Sequence, residues 1–344
     1  MEKEINSVPK AIKVYQQKQS IKSVANGIAL AGIAGLAVMT GWSKVYLRIF
    51  ALFGISESAA VSAAREPMVN ELIGVVVSFF MSFIPFLILF LVTEKKRIDI
   101  LSLKAPEMSK KALVSAVIIG VGFCNFASLL SYILQVEFSL FGLPLPSSDV
   151  ELPTGIFGMI MSFLSTAFFP AFLEEFAMRG VVLGKLRKFG DEFAVFASAF
   201  LFGILHAHLK QIFFAFLVGL ALGYITVRAK SIWPAVVIHF LNNGVSVVMT
   251  YLYNIFDEKT VNLIYSAFVS VSFVAAVVLL VVFGNELFKK KEKTEETEEK
   301  ERLLPTAKKI WAYILSPAMR VMVIFALSIS IFMRYSVWTA SLWT

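Results

Sequence analysis

Nine apolar runs, most of them long enough to cross a bilayer, dominate this chain. A helix needs about 20 apolar residues to traverse roughly 30 Å of hydrocarbon. The runs fall at about 25–42, 72–92, 113–133, 156–186, 193–206, 212–227, 232–253, 261–287 and 310–333. The fifth and sixth are short, and Pro317 and Arg320 interrupt the ninth. The expected fold is all-α, a polytopic transmembrane helical bundle of about eight to nine spans. Along it we expect a cytoplasmic tail (1–24), N-terminal transmembrane helices (25–154), a core (155–253), one further helix (254–288), a charged cytoplasmic linker (289–309) and a last transmembrane helix (310–344). Residues 45–55 read as a small amphipathic piece in the interface.

The composition agrees. Charged residues make up 16% of the 344, against about a quarter in soluble domains, and the mean hydropathy is +0.77. The net charge of +8 lies beside apolar runs, so it reads as topogenic lysine and arginine, with the lipid bilayer as partner and no nucleic acid. With the N-terminus in the cytoplasm and alternating spans, 24 Lys/Arg fall on the cytoplasmic side and six outside. The single cysteine, Cys124, excludes an intrachain disulfide and cysteine-rich metal sites. No small-residue cleavage site follows the first run, which reads as a retained helix.

Ionisable groups inside a span cost about 2.5–3.5 kcal/mol each near the bilayer centre, so they mark function or a paired structural contact. The fourth run carries Glu174, Glu175 and Arg179 in FLEEFAMRG. Glu175 and Arg179 lie four apart and share a helix face, where they can neutralise each other. Glu174 points about 100° away and must find a partner on another helix. The fifth run ends in Phe202 and His206, with His208 just beyond; the seventh carries His239 and Asn243 four apart. At 1.5 Å per residue, Glu174, His206, His239 and Asn243 all lie about 13–22 Å in from the basic loops. They therefore share a depth, and we expect them to open toward the cytoplasm. His208 faces about 200° from His206 and reads as an interface residue.

In order, these segments are Glu174-Glu175-xxx-Arg179, Phe202-xxx-His206 and His239-xxx-Asn243. Together they resemble the three motifs of the CAAX protease and bacteriocin-processing (CPBP, or Abi) family, which includes the type II CAAX prenyl endopeptidases. The likeness covers 156–253, and Trp233-Pro234 before the third motif adds to it. It implies an intramembrane peptidase in a bacterial plasma membrane, acting on a peptide or protein substrate that is membrane-associated or at the cytoplasmic face.

Peptide hydrolysis needs an activated water, an oxyanion site and a proton for the leaving amine. Glu174 is the natural base, His206 can hold the water, and His239 and Asn243 can stabilise the oxyanion. Glu175, Arg179 and Phe202 support them, and the resemblance implies the same assignment. Glu174, His206 and His239 also form a one-carboxylate, two-imidazole set suited to zinc, so metal-dependent and metal-free schemes both stay open. No GxSxG motif occurs, and Cys124 is far along the chain from any histidine, which disfavours serine and cysteine peptidases. Two other readings use the same residues: a non-catalytic bacteriocin-immunity or scaffold protein, and a proton- or ion-coupled transporter.

Overall fold

The computed structural model describes residues 9–94, 98–140, 152–288 and 303–341. It is helical, with no strand among the described residues, because backbone in lipid must satisfy its own hydrogen bonds. Helix α1 (Lys10–Leu52) runs unbroken until Gly54, whose φ of +74° ends it. The separate interfacial piece expected at 45–55 is therefore the last turns of α1. A short α2 (Glu57–Arg65) follows, its first turn capped by the Ser56 hydroxyl accepting from Ala59 N at 3.3 Å. Then come α3 (Pro67–Thr93), α4 (Lys110–Leu140) and α5 (Gly155–Phe189). The chain closes with α6 (Asp191–Leu205), α7 (Leu209–Ala229), α8 (Trp233–Leu252), α9 (Glu258–Phe288), α10 (Thr306–Ile314) and α11 (Pro317–Ser341).

Seven of these (α1, α3, α4, α5, α7, α8 and α9) are long and apolar enough to cross a membrane. The pair α10 and α11 makes an eighth candidate, bent by 68° where Pro317, which cannot donate a backbone hydrogen bond, opens α11. The fifth expected span behaves differently. With 15 residues, α6 rises only about 22 Å, short of the hydrocarbon thickness. It turns back at 206–208, where Ala207 takes φ 48°, and packs along α7. Two glycines let the α6 and α7 backbones touch. A Cβ on Gly203 would lie 2.7 Å from the Ile212 carbonyl oxygen, and one on Gly219 3.0 Å from Ala199 Cα.

The basic loops gather at one end of the bundle. Glu107 N donates to the Ala229 carbonyl (2.8 Å), Ser231 Oγ to that of Lys104 (2.7 Å), and Lys309 Nζ to that of Phe189 (2.7 Å). Lys185 Nζ pairs with Glu94 Oε1 at 3.0 Å at the same end. Of the charged linker expected at 289–309, residues 289–302 lie outside the described residues. The largest apolar core joins α1, α3, α5, α6, α10 and α11, and a smaller one joins α4, α7 and α8. Helix α9 is mostly exposed, as a lipid-facing helix is.

Candidate active site

Helix α5 is wound loosely on both sides of its two glutamates. Residues Phe163–Phe168 and Phe176–Leu183 are π-helical, a departure often found at functional sites. Pro170 has no N–H to return to the Thr166 carbonyl one turn back. That carbonyl instead accepts from Asn243 Nδ2 of α8 at 3.0 Å. A proline in α5 thus fixes the orientation of an amide on another helix.

Glu175 and Arg179 are fully buried and paired at 2.7 Å, as their spacing predicts. The Arg179 guanidinium also donates to the Gly219 carbonyl (3.3 Å) and lies 4.6 Å over the Phe202 ring. Glu175 Oε1 has a second neighbour, His239 Nδ1, at 3.0 Å. Since the carboxylate can only accept, Nδ1 carries the hydrogen and Nε2 of the neutral ring offers a lone pair. That Nε2 faces Glu174 Oε2 at 4.0 Å. Glu174, 19% exposed, accepts no hydrogen bond from a described residue.

His206 repeats the arrangement. Its Nδ1 lies 2.7 Å from the Phe202 carbonyl, an obligate acceptor, so its Nε2 is also left with a lone pair. Phe202 stands edge-on to both imidazoles, 4.9 Å from the His206 ring and 5.9 Å from that of His239. A phenylalanine one turn before His206 thus packs against the buried Arg179 cation and both imidazoles at once.

Glu174, His206, His239 and Asn243 line one cavity of about 590 Å³. A smaller cavity, about 220 Å³, shares Glu174, Phe202 and His206 with it and is walled by α1 and α3. Four expected site residues are thus brought together, with Phe202 lining both cavities beside them and Glu175 and Arg179 behind. His208 precedes α7, half-buried and outside the lining of both cavities. The direction of opening departs from expectation. The wall residues Gln135, Lys210, Ser246 and Tyr265 lie on α4, α7, α8 and α9 toward the ends remote from the basic loops. Depth measured from one end placed the polar set near the middle of the bundle, from where either face is reachable.

Sequence reasoning missed several residues. Gln211 lines both cavities, and Asn242 Nδ2 donates to Asn243 Oδ1 at 3.0 Å, which leaves the Asn243 amide one N–H for the cavity. Glu71, at the edge of the second run, is buried and accepts from Ser162 Oγ (2.8 Å) and from Ser165 Oγ. The hydroxyl of Tyr251 on α8 lies 3.3 Å from Ser162 Oγ and donates to the Pro153 carbonyl.

Zinc fits the donor chemistry of two imidazole Nε2 atoms and a carboxylate, and both imidazoles are hydrogen-bonded behind through Nδ1 in the manner of metal-bound histidines. It does not fit the spacing. No trio of His, Cys, Asp or Glu among the described residues is placed to hold an ion.

Residues 154–245 match the type II CAAX prenyl endopeptidase Rce1-like family. The chain is also similar to the Bacillus subtilis (strain 168) protein named "Putative membrane peptidase YdiL", with 26% identity over 117 residues. That alignment covers 33% of this chain and 48% of the relative, so the chain spans about half the length of the curated protein it matches. No solved structure matches it.

Proposed function

We propose that the chain, whose residues 154–245 match the type II CAAX prenyl endopeptidase Rce1-like family, is an intramembrane endopeptidase of the CAAX protease and bacteriocin-processing type. The observation that carries this reading is the Glu174 carboxylate facing His239 Nε2 across 4.0 Å, in a cavity also lined by His206 and Asn243. That gap suits a bridging water, and Glu174 has no competing hydrogen-bond partner among the described residues.

In this reading Glu174 takes a proton from the water, which His206 Nε2 helps to orient, as the oxygen attacks the amide carbon. The free N–H of Asn243 faces the developing oxyanion. His239 joins it as a donor when doubly protonated, since its Nδ1 hydrogen is already given to Glu175. Glu174 then returns the proton to the leaving amine as the C–N bond breaks, giving an acid and an amine. Glu175 and Arg179 position His239 and do not touch the substrate.

The substrate is a membrane-associated peptide or protein segment, and the protein sits in a bacterial plasma membrane with its N-terminus cytoplasmic. The candidate zinc donors are Glu174, His206 and His239, and metal content of the purified chain tests whether an ion binds there. Mass spectrometry of protein termini, in membranes with and without the full chain, tests the reading itself. A processed terminus should appear with the parent and be lost with Glu174→Gln. An unchanged set of termini, with the phenotype kept by Glu174→Gln, would instead identify a scaffold.

A further inference from the structure

Opposite the catalytic constellation, the 590 Å³ cavity is walled by α4, a helix outside the family match. Its contribution is a run of hydroxyls and amides: Asn125, Ser128, Ser131, Tyr132 and Gln135. At 100° per residue these five fall within about 120° of arc, so they form one polar stripe on an otherwise apolar span. The stripe is about 15 Å long at 1.5 Å per residue, the reach of four to five residues of extended chain at about 3.3 Å each.

Two of the five are occupied elsewhere. Asn125 Nδ2 donates to Ser272 Oγ of α9 (2.6 Å), and Ser131 Oγ to the Ala127 carbonyl one turn back (2.9 Å). The Ser128 hydroxyl and the Gln135 amide have no hydrogen-bond partner among the described residues. Polar side chains facing a cavity within the bundle need partners that the bundle does not supply here. A peptide lying in the cavity offers backbone N–H and C=O groups, and only an extended one has them free, since a helix uses its own.

We propose that the α4 stripe is the rail for the substrate strand: an unwound segment of four to five residues, hydrogen-bonded through its backbone to Ser128 and Gln135, enters from the end remote from the basic loops and presents its amide to Glu174. This rests on the peptidase reading. It makes the preferred substrate a strand-forming or helix-breaking segment and not an intact transmembrane helix.

The test uses the full chain in lipid nanodiscs and a library of quenched-fluorescent decapeptides, with cleavage positions read by mass spectrometry. Ser128→Ala and Gln135→Leu should each raise KM about five- to tenfold, the worth of roughly one hydrogen bond, with kcat within about twofold. N-methylation of single peptide amides should weaken binding to the parent chain and add nothing in the matching variant. Thermal unfolding midpoints close to that of the parent establish that the variants fold. If the parent cleaves, Glu174→Gln does not, and both rail variants keep the parental KM, the rail is wrong and the peptidase stands. If no library member is cleaved by the parent chain, both fall.

Discussion

Helix α4 walls two cavities that differ in chemistry far more than in size. Toward the basic end, Ala116, Ile119, Gly120 and Phe123 line a space of about 430 Å³ with α7 and α9, and nearly all of its surface is carbon. Toward the other end, from Asn125 onward, the same helix lines the 590 Å³ space with hydroxyls and amides opposite Glu174 and both histidines. In lipid an apolar hollow carries little penalty, because acyl chains can fill it, whereas a polar wall is disfavoured unless something uses it. Volume alone says nothing about function here. The switch within one turn of α4 does.

The largest expected effect comes from the polar side. Glu174→Gln should lower hydrolysis by about 10²–10⁴-fold with the fold intact, measured as product formation beside a thermal unfolding scan. Asn243→Ala should follow at about 10²–10³-fold, the usual loss of one oxyanion donor. Arg179→Met leaves Glu175 buried without its cation and should destabilise the chain by about 3–5 kcal/mol, seen as a lower unfolding midpoint and poorer yield. Asn242→Leu removes the hydrogen bond that steadies Asn243 and should reduce kcat about tenfold, for a contact worth near 1.4 kcal/mol. The smallest effect belongs to the apolar cavity: Ala221→Leu should change turnover less than about twofold. A large loss from Ala221→Leu, or none from Glu174→Gln, would dissolve the contrast.

The residues most legible in the sequence were those most costly to place in lipid. Glu174, Glu175, Arg179, His206, His239 and Asn243 stood out because most runs have no such groups, and their helical spacing gave the Glu175–Arg179 pair correctly. The stripe on α4 did not stand out, because serine and asparagine are common enough in spans and only their shared face gives them meaning. Glu71 escaped because it sits at the edge of its run, where a carboxylate reads as belonging to a loop. The helical class was readable from run length, but α6 was not, since a short apolar run fits a hairpin arm as well as a crossing. Nor could depth along separate helices reveal which way their common cavity faces.

The bond pattern around Glu71 bears on what could be cut away from this molecule. Its carboxylate holds two serines of α5, and the tyrosine beside them ties α8 to the segment entering α5. A fragment trimmed to the family-matching segment would keep both serines but lose Glu71 and Tyr251, leaving the Ser162 hydroxyl without either partner and removing the α1 and α3 wall of the smaller cavity. The smallest autonomous unit therefore reaches back at least through α3, and the apparent prefix to the family-matching segment is part of its foundation.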